Sequence, residues 1–141
     1  MKEWFRTLCL GMGIVSYVGS TGCASITPTP PLPSTPVSIS TFESVAGKWA
    51  GILKRRPPSR KDDWVTVTIH RDGAYHFESV RTIGLMQGEG TFALTDGTLR
   101  VETGRGWIMA TLYEEEGRRM LSVMAEATDG VKYSADLTPT K

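Results

Sequence analysis

The run WVTVTIHRDGAYHFESV, Trp64 to Val80, decides the fold. Two stretches of alternating apolar and polar residues flank Arg71-Asp72-Gly73, the pattern of two half-buried strands joined by a tight turn. Loop length sets the register of such a hairpin, and a slip of one residue sends every side chain to the opposite face. A two-residue Asp-Gly turn would set Ile69 opposite His76. A three-residue loop with Gly73 in the left-handed conformation instead pairs Ile69 with Tyr75, Val67 with Phe77 and Val65 with Ser79. The second register gathers the apolar groups on one face, and burial of that face favours it.

The same test works along the chain. At Asp96-Gly97 a two-residue loop wins, pairing Leu94 with Leu99 and Phe92 with Val101, which predicts a type I′ turn. At Thr128-Asp129-Gly130 the three-residue loop pairs Ala127 with Val131, Ala125 with Tyr133, Val123 with Ala135 and Leu121 with Leu137. Each hairpin presents one apolar face. The spacing predicts eight strands over Lys48–Lys54, Trp64–Arg71, Ala74–Val80, Glu89–Leu94, Thr98–Thr103, Trp107–Tyr113, Arg118–Ala127 and Val131–Thr138, with no sustained helical period. In the sixth, Ile108, Ala110 and Leu112 alternate with Trp107, Met109 and Tyr113, so both faces are apolar and spacing does not choose between them. Glu114-Glu115-Glu116-Gly117 reads as a four-residue loop kept soluble by charge.

Eight consecutive antiparallel strands avoid exposed edges by closing on themselves. The expected fold is therefore all-β, a small eight-stranded up-and-down barrel over residues 41–141. Its opening segment, with Gly47-Lys48-Trp49 at the head of the first strand, resembles lipocalin-like proteins, in which Gly-x-Trp starts the barrel. The resemblance implies that Trp49 plugs one end. The chain is much shorter than a typical lipocalin and shows no C-terminal helix, so the barrel should be shallow. An eight-stranded interior holds its own side chains or one small ligand, and a filled or nearly filled interior is the expectation. If a pocket exists, Trp49, Tyr75, Phe77, Phe92 and Leu99 are its candidate lining.

Upstream, Met1 to Gly22 has the three parts of an export signal: cations Lys2 and Arg6, an apolar middle from Leu8 to Val18, and small residues before Cys23. The apolar middle is too short to span a bilayer core, which takes about 20 residues. Ser20-Thr21-Gly22-Cys23 resembles the lipobox of bacterial lipoproteins, which implies a signal peptide over 1–22 and acyl chains on Cys23. Two or three such chains anchor a protein firmly at about 0.8 kcal/mol per buried CH₂. Ala24, rather than Asp, after the cysteine implies by the same resemblance an outer-membrane destination, with the domain facing the periplasm. Cys9 would leave with the leader and Cys23 would be acylated, leaving no thiol for a disulfide, a metal or a nucleophile. The leader takes two of the 16 basic and one of the 15 acidic residues, leaving 14 of each. A neutral domain makes no electrostatic case for nucleic acid.

Residues 23–40 follow as a tether. Ile26 to Ser40 carries five of the eight prolines, and proline, lacking an N–H, cannot join a helix or a central strand. The stretch reads as an extended spacer of about 40 Å.

Chemical motifs are sparse. His70, His76 and Glu78 share a face, but it is the one opposite Val67, Ile69, Tyr75 and Phe77 and should meet solvent, so no metal site is assigned. Lys54, Arg55, Arg56, Arg60 and Lys61 make the loop after the first strand basic, a candidate surface for an anionic group or a protein partner, or simply a solvated loop. Ile83, Leu85 and Met86 are expected to pack onto the core. With no nucleophile elbow, phosphate loop or dinucleotide fingerprint, no catalytic residues and no cofactor are expected. The expected function is non-catalytic binding of a small apolar or amphipathic ligand by a lipid-anchored envelope protein. The alternative is a filled structural module that engages another envelope component through its outer surface or basic loop.

Overall fold

The computed structural model describes residues 31–58, 63–80 and 85–141. Within Pro31–Lys141, a compact unit, the described residues form β-strands and their connections, with one turn of 3₁₀ helix at Phe42–Ser44. The strands are β1 (Pro36–Val37), β2 (Gly47–Arg56), β3 (Asp63–Ile69), β4 (Ala74–Val80), β5 (Leu85–Thr91), β6 (Ala93–Thr95), β7 (Thr98–Thr103), β8 (Gly106–Glu115), β9 (Arg118–Ala127) and β10 (Lys132–Pro139). They form one antiparallel sheet in the order β5-β4-β3-β2-β10-β9-β8-β7-β6, with the first long strand paired to the last.

The barrel is an eight-strand meander in which ten strand segments arise for two reasons. β5 and β6 are a single course of chain broken at Phe92. Before the break Thr91 pairs with Ala74 of β4, and after it Ala93 pairs with Arg100 of β7. Phe92 leaves both ladders, its N–H donates to the Gly73 carbonyl at 2.9 Å, and its ring is buried. The predicted pairing of Phe92 with Val101 is therefore not formed, because the strand changes partners at that residue. This switch brings the two ends of the sheet together at Phe92 and leaves them parted between β5 and the far end of β7.

β1 is the second addition, and it corrects the reading of the proline-rich segment. Pro36 and Val37 pair with Tyr113 and Leu112 of β8, the Ile39 N–H donates to the Gly97 carbonyl, and the Glu114 N–H donates to Thr35. Proline is tolerated because β1 occupies only the part of the β8 edge that β7 leaves free. Val37 packs on the core and Ile39 is buried within it, so residues 31–40 belong to the folded body rather than to a free spacer. Residues 1–30, including Cys23, lie outside the described residues.

The three hairpin registers match the expectation elsewhere. Ile69 faces Tyr75, Val67 faces Phe77, Leu94 faces Leu99, Val123 faces Ala135 and Leu121 faces Leu137. Asp96 and Gly97 both have positive φ, as a type I′ turn demands, and Gly73 and Gly130 are left-handed. The acidic loop is tighter than expected. Glu114 and Glu115 continue β8 opposite Arg119 and Arg118, and only Glu116 and Gly117, both at positive φ, form the turn. Carboxylate and guanidinium facing across the ladder make those extra pairs favourable. In β8, Ala110 and Leu112 are the buried face, while Trp107 is partly exposed.

Candidate functional site

The two poles of the barrel differ. At the pole formed by the start of β2, the β3–β4 and β6–β7 turns and the end of β8, the interior is packed solid. Trp49 is 2% exposed there and joins Val45, Ile69, Leu99, Leu112, Leu121 and Leu137 in one buried cluster. The Trp49 Nε1–H donates to the Val45 carbonyl at 2.8 Å, and the Arg119 guanidinium lies over the indole, 5.5 Å from its centre. Arg119 also donates to the Ser44 carbonyl and sits 3.7 Å from the Glu114 carboxylate. Trp49 thus closes one end, as the Gly-x-Trp resemblance implied, and the arginine that secures it came from the ninth strand, where spacing gave no sign of it.

Toward the other pole the packing gives out. A cavity of about 860 Å³ occupies the upper barrel and reaches the gap between β5 and β7. Its walls include Leu53, Val65, Val67, Phe77, Val123 and Ala135, and Tyr75, Phe92, Leu121 and Leu137 form its floor. The expected filled interior is not what forms. Several inward positions of the upper barrel are small (Gly88, Gly106, Ala125, Ala127 and Ala135), and they leave space that eight strands of larger residues would have closed.

Glycine also shapes the aromatic wall. A Cβ on Gly88 would lie 2.4 Å from a Phe77 ring carbon, and one on Gly90 would lie 2.7 Å from the Tyr75 hydroxyl. The two rings therefore lie flat across bare β5 backbone, an arrangement only glycine permits. The Tyr75 and Phe92 rings are in contact, with centroids 4.4 Å apart and planes tilted by 34°. Burial pushes the Tyr75 phenol above its ordinary pKa, so it is neutral throughout the physiological range.

Of the five expected lining residues, Tyr75, Phe77 and Phe92 border the cavity, while Trp49 and Leu99 are sealed in the base beneath it. Polar groups gather near the opening: Thr103, Arg105, Glu126 and Tyr133 border it, with Lys132 3.7 Å from Glu126. Of the basic cluster, Lys54, Arg55 and Arg56 are exposed at the end of β2, beside this opening, and Arg60 and Lys61 lie outside the described residues. Leu85 and Met86 belong to β5, with Leu85 exposed rather than packed on the core because strand alternation turns it outward. Ile83 lies outside the described residues. His76 and Glu78 meet at 3.4 Å on the solvent face. Among the described residues no three His, Cys, Asp or Glu side chains come together as a metal site.

No protein-family model and no curated protein matches this chain.

Proposed function

We propose that the protein is a non-catalytic binder of one small apolar or amphipathic molecule, carried in the barrel and held at the cell envelope through an acylated Cys23. The observation that carries this reading is the cavity. Its volume of about 860 Å³ lies within the range of about 300–1,000 Å³ typical of small-molecule sites. The deep wall is hydrocarbon and aromatic ring, whereas arginine, tyrosine and threonine stand near the opening. An amphipath would sink its apolar part and leave its polar end at the rim.

The address rests on the leader. Export, acylation at Cys23 and an outer-membrane location facing the periplasm follow from the Gly22-Cys23-Ala24 pattern, and the likeness to lipocalins follows from Gly47 and Trp49. Replacing Cys23 with Ala should move the protein from the membrane to the soluble fraction, and unchanged fractionation would refute the anchor. The binding claim is tested on that full-length, detergent-free Cys23→Ala protein by native mass spectrometry after exposure to a lipid and metabolite extract. A discrete adduct, reduced in Phe77→Ala by more than that variant's loss of stability explains, is the expected result. A bare protein in every spectrum would overturn the binding role and favour the surface-acting module.

A further inference from the structure

Besides Leu32, which precedes the first strand, six large apolar side chains are exposed among the described residues: Ile52, Trp64, Val80, Leu85, Trp107 and Met124. All six lie in the half of the barrel nearer the opening, and four of them form a continuous row. Ile52 pairs with Trp64, Trp64 with Val80, and Val80 with Leu85, so one outward level of β2, β3, β4 and β5 is apolar without interruption. At a strand spacing of about 4.8 Å the row spans roughly 15 Å. Strand alternation alone would place polar residues here, as it does one level down at Thr66, Glu78 and Gln87.

The row's size and surroundings indicate what covers it. It offers a few hundred Å² of apolar surface, well below the roughly 800 Å² per partner that a stable protein interface needs. It lies on a convex wall at the rim, with an indole at its centre. Lys54, Arg55 and Arg56 continue the strand that carries Ile52, are exposed, and have no ion pair among the described residues. On the other side of Ile52 the level ends at Asp136, which accepts a hydrogen bond from Ser122. Tryptophan and aliphatic groups flanked by exposed cations match a bilayer interface, where indoles sit among headgroups and basic residues meet anionic lipid. The row is centred on β3 and β4, across the barrel from the part of β8 that Pro36 and Val37 cover.

We infer that the rim formed by Ile52, Trp64, Val80 and Leu85, with Lys54, Arg55 and Arg56, docks the barrel mouth onto an anionic phospholipid bilayer. The inference stands whether or not the cavity holds a ligand. It is tested with the full-length protein and vesicles of brominated phospholipid, either zwitterionic or containing phosphatidylglycerol. Trp64 is read as the difference between the parent and Trp64→Phe, which keeps the site apolar. Bromine should quench the Trp64 component in anionic vesicles and much less in zwitterionic ones. Lys54→Gln, Arg55→Gln and Arg56→Gln should each weaken docking about fivefold with unchanged Tm, as expected for exposed cations at an anionic leaflet. A Trp64 component that bromine does not quench, or quenching indifferent to lipid charge and to the three cations, would overturn the inference. Shielding of Trp64 from an aqueous quencher without bromine contact would overturn it too, in favour of a protein partner.

Discussion

The base of the barrel makes the strongest demand on a single residue. Replacing Trp49 with Phe removes roughly 40 Å² of buried apolar surface, about 1 kcal/mol at 25 cal/mol per Å². It also strips the Val45 carbonyl of its indole donor in a site where Val45 is fully buried, for about another 1 kcal/mol. Part of the cation–π contact with Arg119 is lost as well, worth about 0.5 kcal/mol at a partly exposed site. The expected loss is about 2–3 kcal/mol, with Trp49→Ala at the upper end of the 3–5 kcal/mol range for large core truncations. Trp64→Phe, half-exposed on the outer face, should stay within about 0.5 kcal/mol. Urea unfolding followed by far-UV circular dichroism reads all three without relying on tryptophan emission. A double-mutant cycle with Arg119→Met should return a coupling of about 0.5–1 kcal/mol. Losses below about 1 kcal/mol for Trp49→Phe, or strict additivity with Arg119→Met, would refute the account of how the base is closed.

Three further outcomes are expected. Gly106→Ala meets both a φ of 132° and the Glu126 carbonyl 2.0 Å from the new carbon, so it should cost more than about 2 kcal/mol. Gly117→Ala, at a φ of 75° in open space, should cost only about 1 kcal/mol, and equal losses in urea titrations would discredit the contact argument. Because burial raises the Tyr75 pKa, the folded state holds that proton more tightly than the unfolded chain does. Its contribution is full below about pH 10 and is lost as pH rises beyond; Tyr75→Phe should flatten the alkaline fall in Tm, and an unchanged limb would mean a solvated phenol. Ala125→Leu projects into the cavity, so it should hold or raise Tm, gaining at most about 2 kcal/mol at 0.8 kcal/mol per CH₂, while suppressing adducts in native mass spectra. Undiminished adducts would place the ligand elsewhere.

The hairpins were legible because their registers are fixed locally. Turn residues with positive φ and an apolar face to bury leave one pairing for Ile69 with Tyr75 and for Leu121 with Leu137. What escaped depends on distant neighbours. Phe92 looks like any inward strand residue until β4 and β7 compete for the chain on either side of it. Pro36 looks like a strand breaker until β8 offers an edge that β7 does not use. The two faces of β8 are equally apolar in sequence, and only closure of the sheet turns Ala110 and Leu112 inward. Tyr75, Phe77 and Phe92 were found because aromatic residues on an inward face are conspicuous. Space is not: the cavity follows from glycines and alanines meeting at one level of several strands, which no linear pattern announces.

The path of the chain before β2 gives the molecule a polarity. Arg118, beside the Glu116–Gly117 turn, donates to the Pro31 carbonyl, and the Ser34 N–H meets the Glu115 carboxylate, so the polypeptide joins the barrel at its sealed pole. The protein is built like a cup whose handle is fixed to its foot. A pull on the chain at Pro31 is therefore borne by the sealed pole and leaves the opening at the opposite pole unburdened.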